Sequence, residues 1–287
     1  MTTSTGTDPT TGPATSGNLL TDTPALYELR FPDPDHLAAR WAESVLRAHG
    51  AGPRVLDLGC GTGRDAAWLH RTAGREVVGL DSSPAMVEHA RTHHPGPEYL
   101  LGDMREPGLG ERRFDAVLCL DSALLYCHTN ADLDALLTAV RAHLAPGGLL
   151  VAEMRNGAYF LGRTDLLDAV RTDTVEHQGV RYTSSTTLRI DHGAQLLRRT
   201  RAWSTDLGPV AVQHSAWRLL FPQELRYLLA AHGFEVLALY DRPGPRTEPA
   251  WSEGAAPADS ADSDRIHLVA RLTATDDTAA TAERSRS

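Results

Sequence analysis

The sequence contains no lysine. All 28 of its strongly basic side chains are arginine, set against 37 acids, for a formal charge of −9. Without a lysine amine the chain cannot form a Schiff base, which excludes imine chemistry and pyridoxal phosphate anchoring. The acidic balance argues against a broad nucleic-acid surface. Aromatic residues make up only 6 % of the chain, so there is no stacking platform for single strands either. Cysteine is scarce. Cys60, Cys119 and Cys127 are too few for a disulfide framework and lack zinc spacing, so a cytoplasmic compartment and no metal are expected. No apolar run approaches the length of a membrane span, so no membrane partner is expected. The opening Met1-Thr2-Thr3-Ser4-Thr5-Gly6 has neither the basic nor the apolar region of a secretory signal.

What the chain does have is concentrated at Arg54-Val55-Leu56-Asp57-Leu58-Gly59-Cys60-Gly61-Thr62-Gly63-Arg64. Val55 to Leu58 reads as a short buried strand. Three glycines then turn the chain into a helix near Asp65, and glycine permits both the positive φ and a ligand's approach to the backbone. The spacing is not the G-x-G-x-x-G of a dinucleotide loop, because Arg64 follows Gly63. Glu76–Asp81 reads as a second strand, with Ser83 able to cap the next helix and Pro84 suited to its first position. An acid at the place of Asp81 can accept both hydroxyls of an adenosyl ribose. A third strand ends at Gly102-Asp103-Met104, and a fourth, Phe114–Leu120, is apolar enough to be buried on both faces. Thr129 and Asp132 form a capping-box start. Pro146-Gly147-Gly148 precedes a fifth strand over 149–154, which ends in Glu153 and Met154.

The flanks read differently. Residues 1–20, mostly Thr, Ser, Gly and Pro, and the tail after Thr273 are expected to be disordered, leaving one domain over 21–272. Within it, an amphipathic helix is expected over 35–48, with Tyr27 just before it. A short helix is expected over 161–170. A three-strand antiparallel insert, with Asp191-His192-Gly193 as one turn, should fill much of 155–220, where it could roof a site or pair two subunits as a homodimer. Residues 243–263, rich in Pro, Ala, Ser and acids, are expected to form a mobile loop between two last strands.

The order Asp57/Gly59/Gly61/Gly63, Asp81, Asp103-Met104 resembles the motifs of class I S-adenosylmethionine (SAM) methyltransferases. The resemblance covers about 50–272. It implies an α/β, Rossmann-like fold, with a mostly parallel seven-stranded sheet, its last strand antiparallel, and the antiparallel insert after the fifth strand. It implies SAM as cofactor, held by Asp57, Gly59, Cys60, Gly61, Gly63, Asp81, Ser82, Met86, Asp103, Met104 and Leu120. The placing of Tyr27 and of the insert is similar to bacterial sugar-amine N-methyltransferases and, more loosely, to indole C3-methyltransferases. The implied acceptor is a nitrogen or ring carbon of a small molecule in specialised metabolism. Tyr27, His128, Glu153 and His214 are the candidate catalytic groups, with Glu153 as the leading base and Arg155 as its alternative ion-pair partner. A nicotinamide-dependent dehydrogenase and a non-catalytic SAM-binding protein stand as the competing readings.

Overall fold

The computed structural model describes residues 18–161, 163, 165–258, 260 and 262–273. The expectations for residues 1–17 and 274–287 lie outside the described residues. Described helices are α1 (Leu19–Asp22), α2 (Pro24–Arg30), α3 (Leu37–Ala48), α4 (Arg64–Arg71), α5 (Pro84–His93), α6 (Asn130–His143), α7 (Gly157–Phe160) and α8 (Pro222–Ala231). Described strands are β1 (Arg54–Leu58), β2 (Glu76–Asp81), β3 (Glu98–Leu101), β4 (Phe114–Cys119), β5 (Leu144–Arg155), β6 (Arg171–His177), β7 (Val180–Asp191), β8 (Leu196–Thr205), β9 (Gly208–Arg218), β10 (Phe234–Tyr240) and β11 (Arg265–Leu272).

Seven strands form one sheet in the order β10-β11-β5-β4-β1-β2-β3. β11 runs antiparallel to both β5 and β10, while β1 to β5 pair in parallel, as the motif order implies. Parallel strands covered on both faces must be apolar throughout. Accordingly Val55, Leu56, Ala116, Val117, Leu118, Val151 and Ala152 are all buried. The chain reverses its strand order beside β1 and β4, and open α/β sheets collect ligands at the carboxyl ends of such strands.

The insert has four strands, not three, in the meander β6-β7-β8-β9. β6 escapes sequence reading because it is a polar edge, Arg-Thr-Asp-Thr-Val-Glu-His, that alternates exposed and half-buried. Its turn into β7 uses Gln178 and Gly179, both with positive φ, the pairing that a two-residue hairpin favours. The short helix lies at Gly157–Phe160, before the expected position, and the described residues of 161–170 form none.

Two further expectations change. Leu20 is buried with Leu26 and Trp203, so folded structure begins before residue 21 and α1 packs on the insert. The described residues of 243–263 are tied down rather than loose. Trp251 is buried, the guanidinium of Arg40 lies 5.9 Å from its ring, and the Asp241 carboxylate accepts bonds from Ser260, Asp262 and Ser263.

Candidate functional site

A cavity of about 690 Å³ opens above the carboxyl ends of β1, β2 and β4. Its floor is the glycine turn after β1. Gly59 has φ 75° and Gly61 φ 54°. A Cβ on Gly59 would come within 2.7 Å of the Ala123 Cβ, while one on Gly61 would meet nothing within 4 Å. Gly59 is therefore demanded by the turn's own packing, and Gly61 leaves its backbone open to a ligand. Gly63 serves the fold instead: its added Cβ would come within 2.7 Å of the Tyr99 hydroxyl and of the Ala90 Cβ, and it does not line the cavity. The Cys60 thiol packs toward Gly79 of β2.

Asp81 ends β2 at the cavity wall. It accepts from the Gly61 amide at 2.9 Å and the Ser83 amide at 2.8 Å. A carboxylate has about four acceptor positions, so two remain for a diol. Burial raises its pKa, opposed by those amide bonds. Ser82, Met86, Met104 and Leu120 share the lining, with Met86 and Leu120 buried. Asp103 is there too, gripped by Arg105 through bonds of 2.6–3.1 Å, and this pairing lowers its pKa.

A small cleft adjoins the cavity and shares Tyr27, Gly59, Gly61, Leu120, Asp121 and Arg246 with it. Asp57, Cys60 and Asp65 also line it. Asp57 is 3 % exposed, and burial, with Asp65 and Asp81 nearby, pushes its carboxyl up to about 8. This residue set fits SAM: an open glycine backbone and a ribose acceptor on one side, thioether walls for a flat base, and a cluster of carboxyls suited to an ammonium.

The catalytic candidates fare unevenly. Tyr27 lines the cavity, and its hydroxyl donates to Asp121 Oδ2 at 2.9 Å. Burial and the neighbouring Asp121 carboxylate hold the phenol well above its usual pKa. Glu153 is a correction. It is fully buried, does not line the cavity, and pairs at 2.9 Å with both Arg246 and Arg265. It also accepts from the Asp121 amide at 3.1 Å. Burial would raise its carboxyl, but the two guanidinia outweigh that and hold it at about 2. Arg155 is not its partner. His128 is turned to the Ala216 carbonyl at 2.9 Å, and the exposed His214 ring sits beside Thr200; neither lines the cavity.

Several lining residues escaped the sequence reading. Asp121, at φ 46°, faces Arg246 at 3.4 Å and Arg265 at 3.7 Å. Asn18, Leu20, Thr21, Asp22 and Phe31 roof the cavity with Tyr27. Opposite the glycine turn, Arg155 and Arg199 flank the Trp217 ring, their guanidinium carbons 4.7 and 4.6 Å from its centroid. Arg199 donates to the Ser215 hydroxyl, yet neither guanidinium has an ion-pair partner among the described residues. Burial first, then Arg265, pulls Arg155 down to about 10, and burial lowers Arg199 as well.

Residues 55–148 match the methyltransferase domain family. Among curated relatives, the chain is 37 % identical over 132 residues to the dTDP-3-amino-3,6-dideoxy-alpha-D-glucopyranose N,N-dimethyltransferase of Streptomyces fradiae, covering 45 % of this chain and 51 % of that one. It is 36 % identical over 141 residues to the trans-aconitate 2-methyltransferase of Delftia acidovorans, covering 46 % and 48 %. The chain thus spans about half the length of the curated relatives it matches. Among solved structures, the SAM-bound amino pentose methyltransferase CalS10 of Micromonospora echinaspora is 29 % identical, covers 87 % of this chain and 96 % of its own, and superposes with a TM-score of 0.66. Residues 55–148 are thus a methyltransferase domain, and by its motifs, strand order and cavity the chain resembles the class I SAM-dependent methyltransferases and, within them, the sugar-amine N-methyltransferases.

Proposed function

We propose that this protein methylates the amine nitrogen of a small anionic molecule, of the nucleotide-linked amino-sugar kind, in natural-product biosynthesis. The observation that carries the reading is the wall opposite the SAM end: two half-buried guanidinia, Arg155 and Arg199, flanking Trp217 with no carboxylate in ion-pair contact among the described residues. Both stay cationic at neutral pH, and a half-buried pair of guanidinia with no carboxylate in contact favours an anionic ligand. Relatives named for dTDP-linked amino sugars act on molecules that carry a diphosphate and an amine together.

Bound SAM supplies an already activated methyl group for in-line transfer. What the chain must add is position and a dry site. Asp81 and the Gly61 backbone hold the ribose, and Met86 and Met104 face the base. Tyr27 stays protonated and donates to Asp121, which leaves Asp121 acceptor positions to orient an amine N–H. The roof of α1 and α2 excludes water. A neutral amine attacks without a base, whereas a ring carbon gains from one that takes up the ring N–H proton. Glu153, His128 and His214 all lie outside the cavity lining, so none of the three can be that base. The cationic wall also supports a second reading, esterification of a carboxylic acid, the acceptor type in the name of one relative.

The test is mass spectrometry with isotope-labelled SAM, with product positions assigned by NMR. The panel holds dTDP-linked amino sugars, the same sugars without the nucleotide, and dicarboxylic acids. N-methyl products from the nucleotide-linked members are expected. Methyl esters alone would select the second reading, and equal turnover of the unlinked sugars would remove the anion requirement.

A further inference from the structure

Glu28 on α2, His89 on α5 and His94 just beyond α5 meet outside the cavity lining. One ligand atom from each lies within 4.8 Å of the other two. His94 Nε2 is 2.8 Å from one Glu28 oxygen, and His89 Nε2 is 3.6 Å from the other. The His89 side chain is only 10 % exposed, and its Nε2 is buried without a hydrogen-bond partner among the described residues. A buried imidazole nitrogen left in this way is costly, and here it is aimed at a carboxylate that another imidazole already meets. The stacked His93 ring, 4.1 Å away centre to centre, supports the His89 ring from the side.

We propose that Glu28, His89 and His94 form a zinc-class divalent cation site that fastens α2 to the Rossmann-like core. Ligand atoms at about 2.0–2.1 Å from a tetrahedral zinc ion stand roughly 3.3 Å apart. The separations of 2.8 and 3.6 Å are to different Glu28 oxygens, and one ligand atom from each residue lies within 4.8 Å of the other two, so a small side-chain adjustment brings the three to that spacing. Two imidazoles and one carboxylate suit zinc or cobalt; magnesium and calcium take oxygen ligands instead. The three residues leave a fourth position for water. The bare alternative is ion pairing of Glu28 with His94 at 2.8 Å and with His89 at 3.6 Å, which leaves His89 Nε2 without a hydrogen bond. The site departs from the expectation of no metal, which rested on cysteine spacing and did not consider two histidines at the end of α5 meeting a glutamate of α2. Its consequence is mechanical. α2 carries Tyr27, so an ion here would hold the roof of the cavity in place.

The full chain, stripped with a chelator, is titrated with zinc by calorimetry and with cobalt by visible absorption. One-to-one binding is expected, with cobalt bands of a four-coordinate site, and zinc should slow hydrogen exchange in α2. His89→Gln and His94→Ala should each weaken binding by at least about tenfold, as even outer-shell changes do at metal sites. Circular dichroism confirms that each variant is folded, and His89→Gln keeps the Glu28–His94 pair intact if His94→Ala does not fold. No saturable binding by the wild-type chain, or equal binding by folded variants, would overturn the site. Binding without added protection of α2 would overturn its fastening role.

Discussion

The Tyr27 hydroxyl donates to Asp121 Oδ2 at 2.9 Å, joining residues 94 positions apart in the chain. One belongs to the N-terminal roof and the other to the exit of β4, so a single bond ties the cover of the cavity to its floor. Hydrogen bonds to charged groups contribute about 1.5–3 kcal/mol. Tyr27→Phe keeps the ring, including its 5.0 Å contact with Phe31, and removes only the donor. Turnover should fall about tenfold or more while SAM affinity changes less, as steady-state kinetics and calorimetry on the same preparation would measure. Equal losses in both would make Tyr27 part of SAM binding alone.

Glu153→Gln should act on stability before chemistry. Removing the carboxylate leaves Arg246 and Arg265 facing each other and Asp121 across a buried junction. Breaking a buried pair from one side costs about 3–5 kcal/mol. The native carboxyl titrates at about 2, below its ordinary 4.5, so its contribution is complete above pH 4.5 and is lost as pH falls toward 2. Thermal melts across the acid range should show a steeper loss for the wild type than for the variant. A variant as stable as the wild type at neutral pH would contradict the ion-pair role.

Asp81→Ala should weaken SAM binding by at least about tenfold, the equivalent of 1.5–3 kcal/mol for a charged acceptor. It also strips an acceptor from the Gly61 and Ser83 amides, so the glycine turn itself should loosen. Asp81→Asn, which retains an oxygen acceptor, should recover part of the affinity. Calorimetric titration of both variants checks the ranking.

Much of this site was legible because it is local. A strand, a glycine turn and a helix follow one another within a few residues, and Asp81, Met86 and Met104 sit at fixed places in that pattern. The mostly parallel seven-stranded sheet followed from the family resemblance that this pattern carries. What escaped was assembled over distance. Glu153 looked catalytic because it ends an apolar strand, but its partners Arg246 and Arg265 lie 93 and 112 residues away. Arg246 sits in a Pro- and Ala-rich stretch whose composition resembles a loose loop. Arg155, Arg199 and Trp217 come from β5, β8 and β9, and only the folding of the insert over the sheet brings them together. β6 was missed for a different reason, since a polar edge strand carries little hydrophobic periodicity.

Asp57 supplies the last prediction. Its carboxyl, buried beside Asp65 and Asp81, titrates at about 8, so at pH 7 it is mostly protonated in the free protein. The shift is upward from 3.8, so the contribution of this group to stability is complete below that value and declines as pH rises toward 8. The cleft it lines is the acidic end of the site, next to Gly59 and Gly61. A cationic ligand there favours the carboxylate, because an opposite charge stabilises the ionised form. Binding of SAM near pH 7 should therefore expel a proton from Asp57. Calorimetric titrations in two buffers of different ionisation enthalpy would count it, with release approaching about one proton per site when the shift is large. Asp57→Asn is neutral at every pH, so its binding enthalpy should not depend on the buffer, and it should be the more stable form at pH 8. Buffer-independent binding by the wild-type chain would show that the carboxyl keeps its proton, and that Asp57 meets SAM as a hydrogen-bond donor rather than as a counter-ion.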